Sequence, residues 1–228
     1  MSATSYDQHE TKTVYYTPAT ASKYVNNIFM SPLNIEWISS LICDSLELQP
    51  GHILVDMGCG VDPSQGMLDV FQEESGSNSN IKTVCMDAVT FGQSTNYSPY
   101  DRIFMKTMIH LLTREERLIA FKGFYKHLAP NNGKLLICRN PDMLEILPFD
   151  ERTKSFFAKG EHLETLLDDL KHAGFKQIQE KKFTFEYPSG SVTAEDWIYL
   201  VQNRLWTVLS KENVNEQQME DLIDHVRR

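Results

Sequence analysis

The chain has 228 residues, 41% hydrophobic, 23% charged and 11% aromatic, a composition that supports one sizeable core in a single domain. A formal net charge of −9 argues against a broad nucleic-acid footprint and favours a small-molecule or protein partner. The cysteines, Cys43, Cys59, Cys85 and Cys138, form no CxxC pair and indicate neither a zinc site nor a disulfide framework, and no apolar run is long enough to span a bilayer. The expectation is a cytoplasmic protein without metal or membrane partner.

In chain order, residues 1–13 are rich in Ser, Thr and charge and read as a loose arm, and residues 14–48 as N-terminal helices. The first, from Ala19 to Met30, sets Tyr24, Ile28 and Phe29 on its apolar side. A second follows Ser31, with Pro32 at the first helical position, and runs through Ile42. Gln49-Pro50-Gly51 turns the chain into Ile53-Leu54-Val55, a buried strand ending in Asp56-Met57-Gly58-Cys59-Gly60. Glycines there let a backbone turn sharply and approach a ligand closely. The turn continues through Val61, Asp62 and Pro63 into a helix ending near Glu74.

Further on, Ile81 to Met86 reads as a strand ending in Asp87-Ala88, and Tyr100 to Lys106 as a strand ending towards His110. Thr113-Arg114-Glu115-Glu116 is a capping-box pattern opening a helix to about Leu128. Lys134 to Cys138 is a buried strand followed by Arg139. This alternation predicts an α/β fold, a Rossmann-like, mostly parallel sheet flanked by helices, with ligands at the carboxyl ends of its strands. Residues 142–160 have no clear pattern. Glu161 to Ala173 reads as an amphipathic helix stopped by Gly174, and Phe175 to Tyr187 as a strand. Residues 188–228 read as a helical lid, one helix of which carries Trp197, Tyr199, Leu200 and Trp206.

These segments together resemble the class I S-adenosylmethionine-dependent methyltransferases of the small-molecule (type 11) kind. Val55-Asp56-Met57-Gly58-Cys59-Gly60 is similar to that family's first motif, and Asp87-Ala88 to the Asp-Ala that follows a later strand. Tyr100 to Phe104 with His110-Leu111-Leu112 resembles the fourth motif, Leu128-Ala129-Pro130 with Gly133 to Leu136 the entry to the fifth strand, and Ala173-Gly174-Phe175 the start of the sixth. The resemblance implies S-adenosylmethionine as cofactor. Asp56, Gly58, Cys59 and Gly60 would then surround its methionine end, Asp87 and Ala88 its adenine, and the backbone carbonyl of Lys106 its ammonium. Tyr24, as a large stiff ring, could join the cofactor residues by covering the site or could fill a core.

Three departures accompany the resemblance. Asp62-Pro63 stands where the family carries a further glycine. Between Asp87 and Tyr100 there is no room for a helix and a strand, so the unit that supplies a ribose-binding acid is expected to be shortened or absent there, with Glu73 or Glu74 as the substitute. No closing strand follows the last helix, so fewer strands than the usual seven are expected. The exposed edge of such a sheet could be covered by a second copy, making a homodimer an expectation.

Methyl transfer asks mainly for proximity and orientation, plus a base when the acceptor carries a proton. His110 is the candidate for base or substrate anchor; a hydrogen-bonded histidine at a helix start fits the same position. Arg139 could hold an acceptor carboxylate or stand as a solvated charge. Trp197 and Trp206 could line an acceptor pocket or fill a core. The alternative to an enzyme is a catalytically inactive methyltransferase-like binding or scaffold protein. A dinucleotide oxidoreductase is disfavoured because no GxGxxG run is present.

Overall fold

The computed structural model describes residues 23, 31–58, 60–76, 80–95, 99–139, 148–149, 151, 154, 163–206, 209–211 and 213–228. Tyr24 and Cys59, the short helix read over Ala19 to Met30, and most of residues 142–160 lie outside them. The elements are α1 (Pro32–Leu46), β1 (Leu54–Met57), β2 (Val61–Asp62), α2 (Gln65–Ser75), β3 (Val84–Cys85), α3 (Ala88–Gln93) and β4 (Arg102–Lys106). They continue with α4 (Arg114–His127), β5 (Lys134–Cys138), α5 (Leu166–Ala173), α6 (Ala194–Gln202) and α7 (Glu216–Arg227).

The strands form a parallel sheet in the order β3-β2-β1-β4-β5. Because side chains alternate along a strand, Val55, Met57, Val61, Ile103 and Met105 share one face. They meet Phe91 of α3, Ala120, Phe121 and Phe124 of α4, and Leu166, Leu170 and Ala173 of α5, forming the main core. On the other face α1 packs on β5 and α2 on β2 and β3. Arg102 is fully buried at the start of β4. Its guanidinium donates to the carbonyls of Leu46, Glu47, Asp101 and Asn132, tying the end of α1 to the turn before β5.

The link between β1 and β2 is the unusual connection. Parallel neighbours ordinarily need a crossover of a dozen or more residues, usually a helix. Here Gly58, Cys59 and Gly60 suffice, because the two strands overlap by a single pair, Met57 opposite Val61. The chain steps sideways within the sheet instead of crossing its face. Gly58 N–H donates to Val61 O at 2.8 Å and Gly60 N–H to Asp56 O at 3.0 Å. Leu54, on the face a crossover helix would cover, is 40% exposed.

This corrects two expectations. Val61 and Asp62 form a strand rather than part of a turn, and the missing piece is the helix between β1 and β2 rather than a unit after Asp87. There, α3 leads towards β4 and the strand order is already complete. The reason is physical: a two-residue strand followed by proline has no periodicity to read, and Asp-Pro carries a strong turn signal.

A third expectation also fails. Phe175 to Tyr187 joins no ladder; side chains hold it. Phe175 packs on Tyr125 with ring centroids 5.2 Å apart, Glu180 pairs with Arg139 at 2.7 Å, and Phe185 meets Trp37 at 5.1 Å. Beyond it, α6 and α7 open on the capping boxes Thr193/Asp196 and Asn215/Gln218 and build a second, smaller core around Phe149, Val201, Leu209, Val214, Met219 and Leu222. Trp206 lies past the end of α6, not within it.

Candidate functional site

Parallel strands bring their carboxyl ends to one edge of the sheet, the usual ligand edge of a doubly wound fold. Asp56 arrives there on β1, Gly58 and Gly60 in the turn that joins β1 to β2, Asp62 at the end of β2, Asp87 after β3, Lys106 at the end of β4, and Arg139 just after β5. The register places Met57 and Val61 towards the main core, so Asp56 and Asp62 turn to the opposite face, as do Lys106 and Cys138.

Asp56 is half-buried, and among the described residues nothing donates a hydrogen bond to its carboxylate. Burial pushes its carboxyl up to about 6, against the pull of the Lys106 ammonium and with a further push from Asp62. Burial likewise raises Asp62 to about 6, opposed by the Ser64 N–H, which donates to its Oδ1 at 2.6 Å. Two carboxylates that resist ionisation therefore stand side by side at the end of β1 and β2.

The two described glycines of the turn differ in what requires them. Gly58 has φ of 101°, a conformation costly for any side chain. Gly60 has no such conformation, and a Cβ there would make only ordinary contact, 3.5 Å from Asp56 O. Among the described residues nothing collides with a side chain at 60.

Asp87 caps α3. Its Oδ1 accepts from Val89 N–H and Thr90 N–H, both at 2.9 Å, and its Oδ2 accepts from the Thr90 hydroxyl at 2.6 Å. Ala88 is buried as the first residue of α3.

After β4 the backbone turns at Thr107, whose φ of 49° lies in the left-handed region unusual for a β-branched residue. Thr107 N–H still donates to Cys138 O at 3.0 Å, carrying the β4–β5 ladder one residue further. The turn lays Met108 against Gly58, with Sδ 3.5 Å from where a Cβ would sit. It also sets His110 in a 3-10 turn, Ile109–Leu111, half-buried beside the row of carboxyl ends.

The structure thus gathers Asp56, Gly58, Gly60, Asp87, Ala88, Lys106 and His110 at one edge. Arg139 reaches the same edge, but in an ion pair with Glu180. Trp197 and Trp206 sit in the second core, each ring about perpendicular to Phe149, with centroids 6.2 and 6.1 Å away. Glu73, considered for the ribose, is exposed in the last turn of α2, which runs back from that edge. The residue sequence reasoning missed is Asp62. Its signal was an apolar residue, an acid and a helix-capping Ser64 in succession, the end of a strand and the start of a helix. Among the described residues no cluster of His, Cys, Asp or Glu could hold a metal, and no helix is long and apolar enough to cross a membrane.

No family model and no curated protein matches the chain. Among solved structures, that of the cyclopropane synthase MmaA2 from Mycobacterium tuberculosis is similar, with a TM-score of 0.51 and 17% identity. The match covers 89% of this chain and 79% of that one. With its strand order and parallel ladders, the chain has a Rossmann-like α/β fold, similar to that of this cyclopropane synthase.

Proposed function

We propose that this chain binds S-adenosylmethionine across the carboxyl ends of β1, β2 and β4 and passes its methyl group to a small-molecule acceptor by in-line displacement. The observation that carries the reading is the convergence of Asp56, Asp62 and Asp87 on the edge where the glycine turn after β1 lies. Asp62, at the end of the strand beside β1, stands where doubly wound folds place the acid that accepts from ribose hydroxyls. Asp87 with Ala88 would meet the adenine, and the Asp56 carboxylate, without a hydrogen-bond donor among the described residues, would face the ammonium of the methionine end. When bound, the cofactor supplies an activated methyl and a neutral leaving group. His110 would orient the acceptor and take its proton.

Isothermal titration with S-adenosylhomocysteine tests this. Saturable one-to-one binding is expected, weakened about tenfold by Asp62→Asn, the loss of one charge-assisted hydrogen-bond acceptor. Absence of binding by the intact chain contradicts it. Methyl transfer from labelled S-adenosylmethionine across an acceptor panel then separates turnover from binding alone.

A further inference from the structure

We propose that the Lys106 ammonium holds the carboxylate of the ligand's amino-acid end, making this lysine the residue that selects an amino-acid-bearing nucleoside over a plain one. The inference rests on the nucleoside reading above and names a determinant within that site.

The short β1–β2 link removes a usual anion site. In nucleotide-binding folds an anionic group at the glycine turn commonly meets the N-terminus of the helix that follows. Here the turn runs into β2, so no helix starts at the turn. The next N-terminus is that of α2, and it is already faced by a carboxylate of the chain itself: Asp62 accepts from Ser64 N–H. An incoming carboxylate at the end of β1 therefore needs a side-chain cation.

Two basic residues stand at the ends of β4 and β5. Arg139 is occupied by Glu180 at 2.7 Å. Lys106 is half-buried and, among the described residues, makes no hydrogen bond or ion pair. Asp56 pairs in register with Phe104, two residues before Lys106, so the carboxylate and the ammonium share one face on adjacent strands. They are near enough for each to feel the other's charge, yet they do not close an ion pair. Cys138, opposite Lys106 in the ladder, supplies no counter-charge, because burial raises its thiol and keeps it protonated. Two half-buried opposite charges that, among the described residues, pair neither with each other nor with another side chain cost free energy in the empty chain. A zwitterionic α-amino acid end, with its ammonium towards Asp56 and its carboxylate towards Lys106, satisfies both.

The test compares S-adenosylhomocysteine with 5′-methylthioadenosine, the same nucleoside thioether without the amino-acid end, by calorimetry on the full chain. Lys106→Met is expected to weaken S-adenosylhomocysteine about tenfold while leaving 5′-methylthioadenosine unchanged. Lys106→Arg, which keeps the charge, is expected to preserve the preference and guards against loss of folding in the Met variant. Equal weakening of both ligands in Lys106→Met, no weakening of either, or loss of the preference in Lys106→Arg overturns the inference while leaving the nucleoside site standing. Failure of the unaltered chain to bind either ligand overturns the site itself, and the role of Lys106 with it.

Discussion

At the scale of single residues, the glycine turn separates a requirement of the fold from a requirement of the ligand. Gly58→Ala forces a side chain into a positive-φ conformation and should cost about 1–3 kcal/mol in urea unfolding. Gly60→Ala has neither strain nor collision and should change stability by less than about 0.5 kcal/mol. Titration of the alanine variant at position 60 should nonetheless show weakened S-adenosylhomocysteine binding, since its methyl occupies the space a ligand would approach. Unaltered affinity would mean that this glycine faces no ligand.

The two raised carboxyls give a pH dependence with a definite sign. Asp56 and Asp62 move from an ordinary 3.8 to about 6, so the folded chain holds their protons more tightly than the unfolded chain. That contribution to stability is fully present below about 3.8 and is lost as pH rises through about 6. Against the unaltered chain, the double variant Asp56→Asn/Asp62→Asn should match it near pH 4 and become progressively more stable towards pH 7, then run parallel above. Urea melts across that range read the difference directly. Ligand affinity should follow the opposite course, falling as pH drops through about 6 and the acceptors take up protons.

At the scale of elements, α4 and α5 are joined by a buried charge network. Asp169 is fully enclosed. Burial alone would raise its carboxyl, but hydrogen bonds from Arg114, Arg117 and Thr165 hold it below the usual carboxylate range. Arg117 is itself only 2% exposed. Asp169→Ala should therefore cost about 3–5 kcal/mol by chemical denaturation, most of it from the arginine left buried without its partner. Replacing the pair together, Arg117→Met with Asp169→Leu, should cost far less.

Elements also show which features were legible in the sequence. The capping box at Thr113 and Glu116, the proline at the start of α1 and the glycine stop after α5 were readable because each is a local motif with a fixed offset. β2 was not. Its identity depends on pairing with Met57 and with β3, a tertiary fact that two residues cannot encode. Phe175 to Tyr187 carries strand-forming residues, but the ladder they would need does not form, and side-chain contacts hold the segment instead.

For the whole molecule, the parallel sheet was legible from alternating strands and helices, and the edge that gathers the site followed from it. What the alternation concealed was a sheet that keeps its order while losing one crossover. Loop length alone puts the shortfall after Asp87 and leaves Glu73 or Glu74 as the ribose acid. The fold places Asp62 beside Asp56 instead, because a sideways step between parallel strands needs only three residues when the overlap is one pair. The second core of α6 and α7 absorbed Trp197 and Trp206 through contacts with Phe149, a partner distant in sequence.

The central claim is that a nucleoside thioether sits across the ends of β1, β2 and β4, and a crystal soaked with S-adenosylhomocysteine tests it most directly. The account predicts density along that edge, with the ribose hydroxyls on the Asp62 carboxylate and the adenine beside Asp87. Density elsewhere on the molecule, or an edge closed by Asp62 and Pro63 in saturating ligand, would contradict it.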